Sequence, residues 1–401
     1  SSWRSGLRMR RGAPTHKALQ LFNMLAKGLW RCGRSRAVLR HAGFLRQRSS
    51  APLKKLSATS KLQVYSELSK ARLSALVVST TAAGFLSAGA PVCLSTMALA
   101  CAGTSLAAGA ASCFNQIVER DRDARMVRTR LRPLPSGRAS RDEAFALAST
   151  ASLASVAILY IGVNPATAAL GAGNIFLYSV AYTQSKPVTE WNTWIGALVG
   201  AIPPVMGYCA ATGDVLSGES LFLATSLFLW QFPHFFSLAW IHRKDYARGG
   251  FQMVPVNDPT GQRTADLVMQ YAVALSALPL ASSAMGLTSW PFALESLLFN
   301  GVALRAAHRF SENRSSENAR EVFKTSLWYL PVIMTLFLFH RQDQSLEDCS
   351  SPRLRTRAVE EHVVRDVRGA IVDCNDYAQH QAGAGRRSSS FPATYASSFW
   401  R

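Results

Sequence analysis

Residues 94–123 read LSTMALACAGTSLAAGAASCFNQIVERDRD, and this stretch makes the case for an all-α chain embedded in a membrane. Positions 94–114 carry no charged residue, and about 20 mostly apolar residues are enough for a helix to cross a bilayer. The small residues from Gly103 to Ala111 suit close helix–helix contact in lipid. At Asn115 the character changes. If the helix runs on, Asn115, Glu119 and Asp123 fall at i, i+4 and i+8 on one face. Oxygen ligands in that spacing suit Mg²⁺, a hard cation that takes carboxylates together with phosphate oxygens. The arginines that follow, through Arg132-Pro133-Leu134, are able to grip the same polyanion bidentately. The plainer alternative is a solvated charged loop, which accounts for the arginines but not for three spaced oxygen ligands beneath an apolar span.

The pattern extends along the chain. Apolar runs lie at about 73–90, 94–114, 143–163, 166–183, 192–211, 219–242, 265–286, 288–307 and 321–340, so a polytopic bundle of about nine transmembrane helices is expected. Charged faces at helical spacing, the mark of a soluble bundle, are missing from them. Of the 401 residues 48% are hydrophobic and 17% charged, where a soluble domain carries about 25%. Mean hydropathy is only +0.07, because uncharged stretches alternate with short basic ones. The loops near 91–93, 163–166, 209–218 and 287–290 contain no Lys or Arg. The alternate loops hold eight arginines between 115 and 141, then Lys186, Arg243, Lys244, Arg248, Arg263, Arg309, Arg314 and Arg320. The positive-inside rule puts those loops and the N-terminus on one side.

Formal charge is +20, and the ends contribute to it. Fifteen Lys or Arg precede the first acidic residue, Glu67. An Arg- and Ser-rich, acid-free arm over residues 1–64 has the signature of a plastid or mitochondrial transit peptide and is expected to be mitochondrial, with an RNA-binding arm as the alternative; no nucleic-acid partner is expected. With such a presequence the basic loops face the matrix and the protein sits in the inner membrane. The chain opens on Ser1 rather than Met, so an upstream start is expected. Residues 342–401 return to polar composition and read as a disordered tail. Seven scattered cysteines without a C-x-x-C pair exclude a disulfide framework, a zinc ribbon and a c-type haem attachment site.

Two further clusters share the basic side. Tyr182, Lys186 and Asn192 lead into Gly196, Gly200 and Pro203-Pro204; Lys186 suits a phosphate, though an interfacial lysine also serves as a snorkelling anchor. Trp230-Gln-Phe-Pro233-His234 is followed by His242-Arg-Lys244-Asp245-Tyr246 and Gly249-Gly250. Asp245 stands at the membrane level of Asp123 and suits a second metal ion. His234 lies inside a span, where an ionisable group points to function; otherwise it is a neutral histidine bonded to a carbonyl freed by Pro233.

These ordered motifs, N-Q-x-x-E-x-x-x-D-x-x-M-x-R-T-x-x-R-P-L, Y-T-x-x-K, N-T-W-x-G-A-x-x-G-A-I-P-P-V-M-G, W-Q-F-P-H-F and D-Y-x-x-G-G-x-x-M, resemble the haem branch of the UbiA-type intramembrane prenyltransferases. The resemblance runs over about 65–340, with Ala71 where the family usually has proline and Gly249 at the later place of its second acidic motif. It implies a UbiA-type bundle over 65–341 that moves farnesyl from farnesyl diphosphate to a vinyl group of protohaem IX (haem b). The products are haem O, on the route to haem A and cytochrome c oxidase, and diphosphate. It implies Mg²⁺ on Asn115, Glu119, Asp123 and Asp245, and diphosphate on Arg128, Arg132, Lys186 and Lys244. Haem-side candidates are His234, Tyr182 and Asn192. A downstream haem-modifying enzyme is an implied partner. The rivals are a quinone or tocopherol-precursor acceptor, which Gln116 and Glu119 disfavour, and a carrier, for which inverted repeats are wanting.

Overall fold

The computed structural model describes residues 58–89 and 92–342. The basic arm up to residue 57 and the tail beyond 342 lie outside them, so the transit-peptide and tail readings concern residues not described. Helices run α1 Ala58–Leu68, α2 Ala71–Leu86, α3 Leu94–Asp123, α4 Arg141–Gly162 and α5 Pro165–Phe176. A π-helical turn, Leu177–Tyr182, joins α5 to α6 Thr183–Ser185. Then come α7 Asn192–Thr212, α8 Gly218–Ile241, α9 Arg243–Gly249, α10 Val254–Asn257, α11 Gln262–Ala284, α12 Trp290–Glu312 and α13 Ser316–His340. Among the described residues there is no strand, only one isolated bridge between Thr288 and Arg341.

Helix α3 does run on through Asp123, as the spacing of its carboxylates requires. Boundaries elsewhere follow from local chemistry. Ser140 and Glu143 form a reciprocal capping box at the start of α4, Asn164 caps α5 with Pro165 behind it, and Ser217 and Ser315 cap α8 and α13; each cap satisfies an otherwise orphaned amide. Pro203, Pro204, Pro233, Pro279 and Pro331 sit inside helices, which intramembrane helices tolerate where neighbours resatisfy the freed carbonyls.

All nine apolar runs are helical, but they are not equivalent. Among the described residues six helices, α3, α4, α7, α8, α11 and α13, are long and apolar enough to cross a membrane. Helix α2 is apolar but only 16 residues long. The run at 166–183 is broken by the π turn, and α12 carries Glu295, Arg305 and Arg309. The nine-crossing count therefore stays an expectation.

Helices α3 and α4 pack together, as do α2 and α7, α11 and α12, and α8 against α7, α11 and α13. One core joins Phe232, Phe236, Val268, Ala307 and Phe310; another joins Phe222, Phe292, Tyr329 and Phe337. Leu68, Cys113, Leu134 and Ala144 form a third, beneath the basic loops. That third core holds α1 against α3 at the end of the bundle where Asn115, Glu119 and Asp123 emerge.

Candidate active site

The oxygen stripe is buried. Asn115, Glu119 and Asp123 retain 1%, 5% and 0% of their exposure, although a charged helix face at a loop would normally be wet. Each meets a donor from another segment. Lys186 Nζ donates to Glu119 Oε1 at 2.8 Å, and Arg132 Nη1 to Asp123 Oδ2 at 2.8 Å. Lys70 Nζ donates to Asn115 Oδ1 at 3.2 Å, while Asn115 Nδ2 donates to Thr183 Oγ1 at 3.2 Å. Two carboxylates thus sit among three cations, leaving the cluster a net positive charge.

Lys186 is itself buried, 4.3 Å from the centre of the Tyr182 ring. Burial alone would lower its pKa, but Tyr182, Glu119 and Tyr178 more than offset that and raise it above the ordinary lysine value. The ammonium is therefore held charged. Tyr178 and Tyr182 reach the cluster from the π turn, a distortion common at functional sites. Tyr182 lies flat against α7 because position 196 is glycine; a Cβ there would come within 2.7 Å of the ring.

Asp245 is differently placed. Its Oδ1 accepts from the amide of Val127 at 2.8 Å and its Oδ2 from that of Arg128 at 3.1 Å, with Arg248 at 3.5 Å. Burial would raise its pKa, but these amides and Arg248 pull it below the ordinary carboxylate range. The turn it grips is tied back to the stripe, since Thr129 Oγ1 donates to the Asp123 carbonyl at 3.0 Å. Asp245 thus meets Asp123 through the 126–129 turn rather than directly. Among the described residues no three His, Cys, Asp or Glu side chains converge into a metal cluster.

Of the other candidates, Arg132 belongs to the cluster, while Arg128 donates to the Tyr246 hydroxyl at 3.1 Å. Lys244 stands exposed on α9. Asn192 fastens loops, donating 2.5 Å bonds to the carbonyls of Thr189 and Gln252. His234 stacks on Trp230 and Phe323 and pairs through Nδ1 with Ser326 Oγ at 2.9 Å. Its partner is thus a hydroxyl of α13, not a carbonyl freed by Pro233.

Three participants escaped the sequence reading: Lys70, Thr183 and Tyr178, whose side chain bonds to Lys70. Lys70 has φ 48°, the only positive φ outside glycine among the described residues. Gln116 builds the turn that presents it, donating to the carbonyls of Glu67 and Leu68 at the end of α1. The signal was present in the stretch Glu67-Leu-Ser-Lys70, where the first acid of the chain stands just ahead of the first span.

Residues 76–330 match the UbiA prenyltransferase family. The chain is 42% identical over 298 residues to the human mitochondrial protoheme IX farnesyltransferase, a match covering 73% of this chain and 67% of that one. It is 41% identical over 239 residues to the protoheme IX farnesyltransferase of Solibacter usitatus, covering 60% and 82%. A solved digeranylgeranylglyceryl phosphate synthase shares the fold with a TM-score of 0.60 at 14% identity, covering 70% of this chain and 98% of that one.

Proposed function

Because the chain belongs to the UbiA prenyltransferase family, we propose that it transfers the farnesyl group of farnesyl diphosphate to a vinyl group of protohaem IX, releasing diphosphate and giving haem O. The observation that carries this reading is the buried Asn115–Glu119–Asp123 stripe ringed by Lys70, Lys186 and Arg132 at the end of an apolar helix.

The chemistry follows from the placement. A farnesyl chain is apolar and belongs among the helices, while its diphosphate needs cations at the rim. Breaking the allylic C–O bond moves negative charge onto the leaving group. Lys70, Lys186 and Arg132 are held in place before that charge develops, and preorganised donors lower such a barrier. Each 1.4 kcal/mol or so of this preference is worth tenfold in rate. The allylic cation then joins the terminal vinyl carbon. Water adds to the carbon next to the macrocycle and loses a proton, which leaves the hydroxyl of the product. Apolar walls keep water from the first cation until the carbon–carbon bond has formed.

A divalent cation fits the stripe. Asp123 Oδ1 is buried without a partner, and an orphaned carboxylate oxygen is costly unless something binds it. Mg²⁺ suits this all-oxygen donor set, with Asp123, Glu119 and Asn115 to hold it; when bound it would neutralise the departing diphosphate. Arg132 and Lys186, which pair with the carboxylates, would offer their remaining N–H donors to phosphate from where they stand. Asp245 orders the arginine-bearing turn beside them. The relatives' names and the apolar helices support a multi-pass mitochondrial protein, for which we propose the inner membrane with the basic loops in the matrix. Purified protein given protohaem, farnesyl diphosphate and Mg²⁺ should yield haem O by mass. No product, or farnesylation of a quinone precursor instead, would overturn the reading.

A further inference from the structure

Beside the diphosphate cluster, and not used by it, lies a cleft of about 450 Å³ between the 188–194 segment and the 252–267 segment. Such a volume falls in the range of small-molecule sites. Its walls are apolar and aromatic: Val188, Trp191, Trp194 and Leu267, with the two indoles 5.0 Å apart and tilted. Its polar part is Thr189, Gln252, Asn257 and one ion pair, Arg263 to Glu190 at 2.7 Å. Glu190 also accepts from Asn257 at 2.9 Å. One backbone hydrogen bond ties the cleft to the site already described. The Gln252 amide, on its wall, donates to the carbonyl of Lys186 at 2.7 Å, the same lysine that holds Glu119.

Tryptophans at a membrane rim often serve only as anchors. An anchor belt, however, has no use for an ion pair whose carboxylate is half-buried and backed by an amide. Arg263 is the looser partner, its side chain 58% exposed against 23% for Glu190, and Asn257 keeps Glu190 satisfied if Arg263 re-aims. A guanidinium offers five donors in a planar fork, enough to bridge Glu190 and an incoming carboxylate at once. Two indole faces beside one such cation suit a broad planar ligand with an acidic edge. Resting on the function proposed above, we infer that this cleft receives the acceptor macrocycle, with Trp191 and Trp194 against its plane and Arg263 on one of its propionates.

The experiment measures binding apart from turnover, by titrating the full-length protein in nanodiscs with protohaem and with its dimethyl ester, in which both carboxylates are masked. Wild type should prefer the free acid. Arg263→Gln should lose about tenfold in protohaem affinity, roughly what one charge-assisted hydrogen bond contributes, and should no longer distinguish acid from ester. Trp191→Ala, at an exposed position, should weaken both ligands alike. Farnesyl diphosphate affinity should stay within about twofold in both variants. Undiminished discrimination in Arg263→Gln would overturn the cleft assignment even in an enzyme that makes haem O. Conversely, a wild type that binds protohaem with this discrimination but forms no haem O would leave the cleft standing and sink the proposed reaction.

Discussion

Asp121 and Asp123 are two positions apart on one helix, yet only Asp123 is buried; Asp121 is exposed. Asp123→Asn retains size and hydrogen-bonding capacity while removing the charge that Arg132 and a metal ion would both oppose. Haem O formation should fall by roughly a hundredfold or more, the loss typical of removing one preorganised electrostatic contact, whereas Asp121→Asn should stay within about twofold, as surface changes do. Equal losses at the two positions, in membranes containing equal amounts of protein, would remove the stripe from the mechanism. Lys70 allows a sharper separation of stability from activity. Its left-handed backbone costs an L-residue about 1–2 kcal/mol and glycine almost nothing. Lys70→Gly should therefore be more thermally stable than Lys70→Ala by about 1 kcal/mol, while both lose activity equally because both lack the ammonium beside Asn115. Activity that follows stability across the pair would make Lys70 merely structural. The stripe was legible in the sequence because i, i+4 spacing is a property of the helix alone. Lys70 was not, since a lysine opening a span looks like any interfacial anchor and its φ is set by Gln116 from another helix. Nor was the role of Asp245, whose partners are backbone amides that no side-chain pattern displays.

Between elements, α2 and α7 approach closely at two glycines. A Cβ at Gly207 would lie 1.8 Å from the Thr81 carbonyl oxygen, and one at Gly84 would lie 2.0 Å from that of Pro204. Backbone rather than flexible side chain fills both positions, so relief requires the helices to part. Gly207→Ala should destabilise by at least about 3 kcal/mol, the upper end for overpacked cores, read as earlier thermal aggregation in nanodiscs. Gly173→Ala, where nothing lies within 4 Å, should be neutral or gain up to about 1 kcal/mol from helix propensity. A mild Gly207→Ala would mean that α2 and α7 are not in contact along this face. Sequence showed that these helices are rich in small residues, which favours tight packing in general. It did not show which pairs meet, because the partner of a small residue depends on how the helices are arranged. The π turn was equally hidden: the run at 166–183 looks continuous, and only its contacts with Lys70, Glu119 and Lys186 explain the break.

Across the whole molecule, charge and chemistry collect at the same end. Lys70–Asn115, Lys186–Glu119, Arg132–Asp123, Arg122 to the Gly249 carbonyl and Arg263–Glu190 all join basic-loop segments. At the opposite end Asn164 bonds the Cys209 carbonyl, while Arg341, which bonds the Ser87 carbonyl, and His340, which pairs with Glu295 at 3.2 Å, depart from the loop pattern. Loop charge therefore predicts orientation and the location of the site together, and the two are tested by one measurement. Gly137, between α3 and α4, and Gly213, after α7, both sit at open turns with positive φ, and nothing would lie within 4 Å of a Cβ at either. Exposed turns of this kind accept insertions, so a protease-cleavable epitope should leave the fold intact at either one. In mitochondria whose outer membrane has been opened, added protease should cut the Gly213 insertion and spare the Gly137 insertion, and dissolving the inner membrane should expose both. Cleavage at Gly137 with protection at Gly213 would place the basic loops outside the matrix and overturn the orientation. Cleavage at both in intact inner membranes would show that the segments between them, α4 through α7, do not end on opposite faces, and the alternation of loop charge would then describe a surface rather than a topology.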